Sequence, residues 1–318
     1  MISVIIPTYN RSHLIGETLD SIIAQTYPDW ECIIIDDHST DSTDDIINTY
    51  LAKDPRFNYY KKPKHLPKGP SASRNYGLTK ASGDYINWFD SDDLMHPEKM
   101  QIDLKMITSG KYDFTISQSK FFKQHGAKPK KEYWNKNLWS DDPINDFIIK
   151  KIGWSVNSSL WSKTAIQGID LEFDPDLITA DDYYYHILAL KNALQPIIID
   201  EKLVKLREHD NRLNDLNKKS PYKLKVFTQL IEQKAELNLS HEVENKLYIM
   251  IVRQFSNLLK NRDLTLAKKY RKELKLLLPI KYNAEINRLY NYGILFYLTN
   301  RFYKKLKVNK PDNEFEIK

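Results

Sequence analysis

The chain has 318 residues, 41% hydrophobic and 28% charged, with one cysteine and a net charge of +6. That composition is ordinary for a soluble globular protein, and the length fits one large α/β domain with an appendage, or two domains. A single thiol, Cys32, excludes an internal disulfide framework and a thiolate zinc site and fits a reducing cytosol. No run of about 18 apolar residues is present for a membrane span. "ISVII" ahead of Pro7 is too short and uncharged for a secretory signal.

The charge is uneven. Residues 216–318 hold 22 Lys and Arg against 10 Asp and Glu, a net of +12, which leaves −6 for 1–215. An acidic front and a basic tail point to two regions with different partners and a boundary at 210–220.

In chain order, "ISVIIP" reads as a strand and "SHLIGETLDSIIAQTY" as a helix, with Leu14, Ile15, Leu19, Ile22 and Ile23 near helical spacing. "WECIIID" is a strand in which Cys32 serves as a small buried hydrophobe. "STDDIINTYLAKD" follows as helix, "FNYYKKP" as strand, "ASRNYGLTKAS" as helix and "YINWFD" as strand. Short continuous apolar strands alternating with helices predict a mostly parallel sheet covered on both faces. Residues 111–215 are more mixed, with strands expected in "YDFTISQSKFF" and "QPIIIDEKLVKLREH". Beyond Ser220 the pattern is helical. "SPYKLKVFTQLIEQKAEL" is expected to start on its Ser-Pro, and "SHEVENKLYIMIVRQFSNLLKNR" on a Ser one residue off a capping box.

The unusual residues gather after strands, where α/β sheets bind ligands. "YINWFD" runs into Asp90, Asp92 and Asp93, carboxylates that repel one another unless something positive sits among them. Alternate residues at a strand end converge, so Asp90 and Asp92 suit a hard divalent cation with open positions. An EF-hand loop is excluded, because Met95 stands where glycine is required and Gln101 where glutamate is required. A solvated turn with Asp93 capping "HPEKMQIDLKMI" is the plainer alternative. "PTYNR" lacks the glycines of a dinucleotide fingerprint, and no GxxxxGK loop occurs. There Tyr9 could stack on a base and Arg11 approach a phosphate, or Asn10 or Ser12 could simply cap the next helix. "DDHSTDSTDD" offers Asp36 and Asp37, or caps from Ser39, Thr40 and Asp41. In "KGPSASRNYG", a helix N-terminus with Arg74 could face a diphosphate.

Together and in this order, "SVIIPTYNR", "DDHSTDST" and "GPSASRNYGL…GDYINWFDSDD" resemble the family 2 glycosyltransferases, densely over residues 1–100 and sparsely to about 210. The resemblance implies an α/β GT-A fold over 1–215, a UDP-sugar donor, Mn²⁺ or Mg²⁺, and inversion at the anomeric carbon. Carried over residue by residue, Pro7, Thr8, Tyr9 and Arg11 would border the donor, with Tyr9 on the base. Asp37 would read uracil with Asp36 beside it, and Arg74 and Asn75 would sit near diphosphate and sugar. Asp90 and Ser91 would contact ribose or sugar, and Asp92 would bind the metal in a DXD pattern. Asp182 would be the base, supported by Asp181, where the family usually shows Glu-Asp. His209 in "KLREHD" is a further metal candidate. "GWSVNSSLWSK" is either a site wall or a core strand. No tryptophan follows Trp161, so the Gln-x-x-Arg-Trp motif of processive members is absent and single-sugar addition is expected.

The implied acceptor is a surface polysaccharide or lipid-linked oligosaccharide, met in the cytoplasm or at the inner face of the membrane. The basic 216–318 region, with "RLYNYGILFYLTNRFYKKLK", would rest on an anionic bilayer, or pack inward as a bundle and support homo-oligomers. No nucleic-acid module is present, and the acidic front would repel phosphate chains. The rival function is a non-catalytic nucleotide- or sugar-binding protein on the same fold.

Overall fold

The computed structural model describes residues 1–123, 128–208 and 216–308. The chain divides into two compact units, Met1–Arg212 and Leu213–Lys318.

The first unit is an eight-stranded sheet. Its strands are β1 (Ile2–Thr8), β2 (Trp30–Asp36), β3 (Phe57–Lys61), β4 (Tyr85–Trp88), β5 (Leu94–Met95), β6 (Phe114–Phe122), β7 (Leu160–Ser162) and β8 (Pro196–Arg207), in the order β3-β2-β1-β4-β7-β6-β8-β5. The first four are parallel, with Ile2 opposite Trp30 and Thr8 opposite Asp36. β7 turns antiparallel to β4 and β6, and β5 antiparallel to β8. Every residue of β1 is buried, which explains its mostly apolar sequence: helices cover both of its faces. Helix α1 (Ile15–Ile23) contributes Ile15, Leu19 and Ile22, and α2 (Thr43–Lys53) contributes Ile47, to the core around Val4, Ile6 and Ile34. Helix α3 (Pro70–Leu78) covers the opposite face, where a Cβ at Gly77 would collide with Ile5. Short helices α4 (Lys99–Ile107), α5 (Pro143–Ile148) and α6 (Lys163–Gly168) and the 11-residue α7 (Asp181–Lys191) complete the unit. Cys32 is buried in the core.

The second unit is helical: α8 (Leu216–Glu232), α9 (His241–Lys260), α10 (Leu264–Leu277) and α11 (Ile280–Thr299), ending in a 3₁₀ turn over Tyr303–Leu306. α8 begins before the expected Ser-Pro, leaving Pro221 inside it. Pro221 cannot donate the backbone hydrogen bond to residue 217, and buried Leu224, Val226, Phe227 and Leu230 hold the helix. Ser240 caps α9 by accepting the Val243 N–H at 3.3 Å. Gly293 lets α11 close on α9, since a Cβ there would overlap Leu259. No helix among the described residues is long and apolar enough to cross a membrane.

Candidate active site

The carboxyl ends of β1 and β2 are laced together. Asn10 and Ser12 do not cap α1. Asn10, in the left-handed region at φ 51°, receives the Thr40 N–H on its side-chain oxygen at 2.7 Å, and its own N–H donates to Ser39 Oγ at 2.9 Å. Ser12 donates to Asp41 Oδ2 from its N–H at 3.1 Å and from its hydroxyl at 2.8 Å, and the Arg11 N–H donates to Thr43 Oγ1 at 2.9 Å. Asp41, with four such donors, is held down at about 2; burial opposes the shift and hydrogen bonds from Thr43 and Ser12 outweigh it. Pro7 and Thr8 stay buried in β1, while Tyr9 stands 53% exposed at the mouth.

Asp36 is fully buried and accepts from the Ser39 N–H, the Ser39 hydroxyl at 2.5 Å and the Tyr59 hydroxyl at 3.2 Å. These bonds tie Asp36 to the loop that follows β2. Asp37 is fixed from two sides, by the Gly69 N–H on Oδ2 at 2.6 Å and by Lys62 Nζ against Oδ1 at 2.6 Å. Gly69 has φ 113°, a conformation costly for any residue with a Cβ. Lys62 is buried and also donates to the Pro67 carbonyl at 2.7 Å, folding the 63–69 loop onto Asp37.

Beyond β4, Asp90, Asp92 and Asp93 each offer an oxygen within 4.8 Å of the others. Each also has its own positive or donor partner. Arg74 Nη2 donates to Asp90 Oδ1 at 2.7 Å, and Arg11 Nε lies 3.7 Å from Asp92 Oδ2. Asp93 does not cap α4. Fully buried, it accepts from Asn157 Nδ2 at 2.7 Å and from the Arg207 N–H at 2.6 Å. Asn157 belongs to a 3₁₀ turn (Val156–Ser158), and its Oδ1 also accepts the Asp90 N–H at 3.0 Å. Arg207 Nε donates to the Asp92 carbonyl at 2.9 Å. "GWSVNSSLWSK" therefore holds both a loop that shapes the site and a core strand, β7. Ser91 is buried in the acidic loop. Burial raises the Asp90 carboxyl, the Arg74 charge opposes this, and the charges of Asp92 and Asp182 reinforce it.

Helix α7 delivers the last pair. Asp181, 6% exposed, accepts from Arg74 Nη1 at 2.6 Å. Burial carries its carboxyl up to about 6 against the pull of Arg74, with Asp182 adding to the rise. Asp182 is half-buried, and its Oδ1 accepts the N–H of Tyr183 at 2.8 Å. Arg74 thus joins the acidic loop to the α7 pair, with its guanidinium carbon 5.0 Å from the Phe173 ring centroid. The Asn75 amide is committed to the Phe173 backbone, donating to its carbonyl at 2.8 Å and accepting its N–H at 3.0 Å.

Lys62, Asn157 and Arg207 escape sequence reasoning, because a buried lysine, an asparagine in a loop and an arginine at a strand end carry no motif. His209 lies outside the described residues.

The sheet is of the GT-A type, with an acidic cluster at a strand end and a second carboxylate pair across an arginine. The model of glycosyl transferase family 2 matches residues 3–161. An uncharacterized glycosyltransferase of Rickettsia felis is 40% identical over 114 residues, covering 36% of this chain and 18% of the relative. The chain thus spans under a fifth of that relative's length. A putative teichuronic acid biosynthesis glycosyltransferase, TuaG of Bacillus subtilis, is 32% identical over 150 residues, 47% of this chain and 59% of TuaG. Among solved structures, S. aureus TarS 1–349 in complex with UDP-GlcNAc superposes with a TM-score of 0.64 at 19% identity, covering 96% of this chain and 90% of that one. The chain belongs to glycosyl transferase family 2.

Proposed function

We propose that the protein transfers a hexose or N-acetylhexosamine from a UDP-sugar to a hydroxyl of a surface polysaccharide or its lipid-linked precursor, one sugar per encounter, with inversion. The observation that carries this reading is the Asp90–Asp92–Asp93 cluster, joined through Arg74 to the Asp181–Asp182 pair. Cell-surface context is supported by the likeness to TuaG, and a UDP-linked donor by the likeness to TarS.

The donor set is all oxygen, which fits Mg²⁺ or Mn²⁺. Asp92 would hold the ion with Asp90 beside it, while both Asp93 oxygens are already taken by Asn157 and Arg207. When bound, the ion neutralises charge on the departing diphosphate. Tyr9, Asp37 and Arg11 would receive the nucleotide. Asp182, the more accessible carboxylate of its pair, takes the proton of the acceptor hydroxyl. That oxygen bonds to the anomeric carbon from the face opposite the phosphate, the bond from that carbon to the phosphate oxygen breaks, and UDP leaves. Asp181, tied to Arg74, orients the α7 start.

The test is UDP release from a panel of UDP-sugars with Mn²⁺ or chelator, for wild type, Asp92→Asn and Asp182→Asn. Hydrolysis of one donor, lost with chelator and in Asp92→Asn, with UDP binding kept in Asp182→Asn, supports the assignment. Absence of metal-linked UDP binding in the wild type overturns it.

A further inference from the structure

We infer that the outer face of α11 and the turn after it form a docking surface for an anionic lipid bilayer. Ile286, Leu289, Tyr290, Gly293 and Phe296 are buried on the inner side of α11. At about 100° per residue, Ile280, Ala284, Asn291, Leu295 and Leu298 fall on the opposite side, within about 60° of one another. All five are exposed, and none is charged. They run for about 27 Å along the helix. A helix face turned to water normally carries charges. Here Ile280 is 88% and Leu298 72% exposed.

The end of this face is built, not frayed. After Asn300 and Phe302, both in the left-handed region, the 3₁₀ turn is pinned by fully buried Leu306, whose carbonyl accepts from Ser256. Arg288 donates to the carbonyls of Lys305 and Lys307, each at 3.0 Å. Yet the turn leaves Phe302 43% and Tyr303 53% exposed, beside Tyr297 at 52%. Such aromatics suit the headgroup boundary.

Charge selects the occupant. Residues 286–308 contain no Asp or Glu, and exposed Arg301, Lys304, Lys305 and Lys307 rim the aromatic end. Exposed Lys272, Lys275 and Lys281, with Leu276 90% exposed, rim the other. An uncharged strip, apolar but for Asn291 and bordered by cations at both ends, matches acyl chains beneath acidic headgroups. A second copy of the chain would bring the same cations against these and repel.

The test is flotation of the full chain with phosphatidylcholine vesicles, with and without phosphatidylglycerol. The wild type is expected to partition about tenfold or more in favour of the anionic vesicles, with the preference falling as salt rises. Leu295→Glu/Leu298→Glu is expected to lose binding, and Lys304→Gln/Lys305→Gln to lose the anionic preference, both with unchanged thermal unfolding. Equal binding by wild type and Leu295→Glu/Leu298→Glu overturns the proposal. So does a wild type that ignores the vesicles, including one that sediments as a dimer which the Leu pair abolishes.

Discussion

Arg74 and Asp181 lie 107 positions apart and form an ion pair at 2.6 Å inside the protein, with the same guanidinium holding Asp90 at 2.7 Å. This planar fork aims a separate nitrogen at each carboxylate, a geometry that the single nitrogen of a lysine does not reproduce. Arg74→Lys is therefore expected to reduce donor hydrolysis by about 10²-fold through misplacement of the two carboxylates, with UDP affinity changed far less. Steady-state kinetics with UDP titration check this. Equal losses in both would assign Arg74 to nucleotide binding instead.

Asn157 touches two of the three acidic residues without being one of them. Asn157→Leu removes both hydrogen bonds and lets the loop spread. Mn²⁺ affinity in the presence of UDP is expected to fall about 10- to 100-fold, as for other outer-shell partners. Calorimetric titration reads it directly, and an unchanged affinity in a folded variant would remove Asn157 from the site.

Lys62 and Asp37 are a buried pair, and removing one charge strands the other. Lys62→Met is expected to cost about 3–5 kcal/mol in urea unfolding. Adding Asp37→Asn, which removes the stranded charge, is expected to recover much of that. Failure of the double variant to recover stability would show that the 63–69 loop, not charge, sets the cost.

His186 sits between Trp154, with ring centroids 5.0 Å apart, and Trp161, at 5.9 Å, and neither ring nitrogen has a hydrogen-bond partner among the described residues. Burial, with Arg74 adding to it, pushes its pKa from 6.5 down to about 3. Below pH 6.5 the unfolded chain takes up a proton that the folded one refuses, so this group lowers stability progressively as pH falls from 6.5 towards 3. Asp181 acts oppositely. With its folded value raised from 3.8 to about 6, the folded chain keeps the extra proton, and stability falls as pH rises across that window. His186→Phe is accordingly expected to lose less stability than wild type on acidification from pH 6.5 to 4.5. Asp181→Asn is expected to lose more. Melting temperatures across that range measure both slopes, and parallel profiles for all three proteins would refute the assignment.

The alternation of strands and helices was legible along the chain, because a strand buried on both faces is mostly apolar and a one-sided helix repeats near 3.6 residues. The sequence also marked the acidic loop, since Asp90, Asp92 and Asp93 are neighbours along the chain. The partners of the site carboxylates came only from the fold: Asp93 meets Arg207 from 114 positions away, Asp90 meets Asn157 from 67, and Asp37 meets Lys62 from 25. The fold also turned Asn10 and Ser12 from expected helix caps into cross-links to the next loop. It likewise showed which face of α11 is left open. Local pattern records propensity and burial, which neighbours in sequence share. The pairing of a buried charge is set by which distant backbone arrives beside it, and no local spacing encodes that.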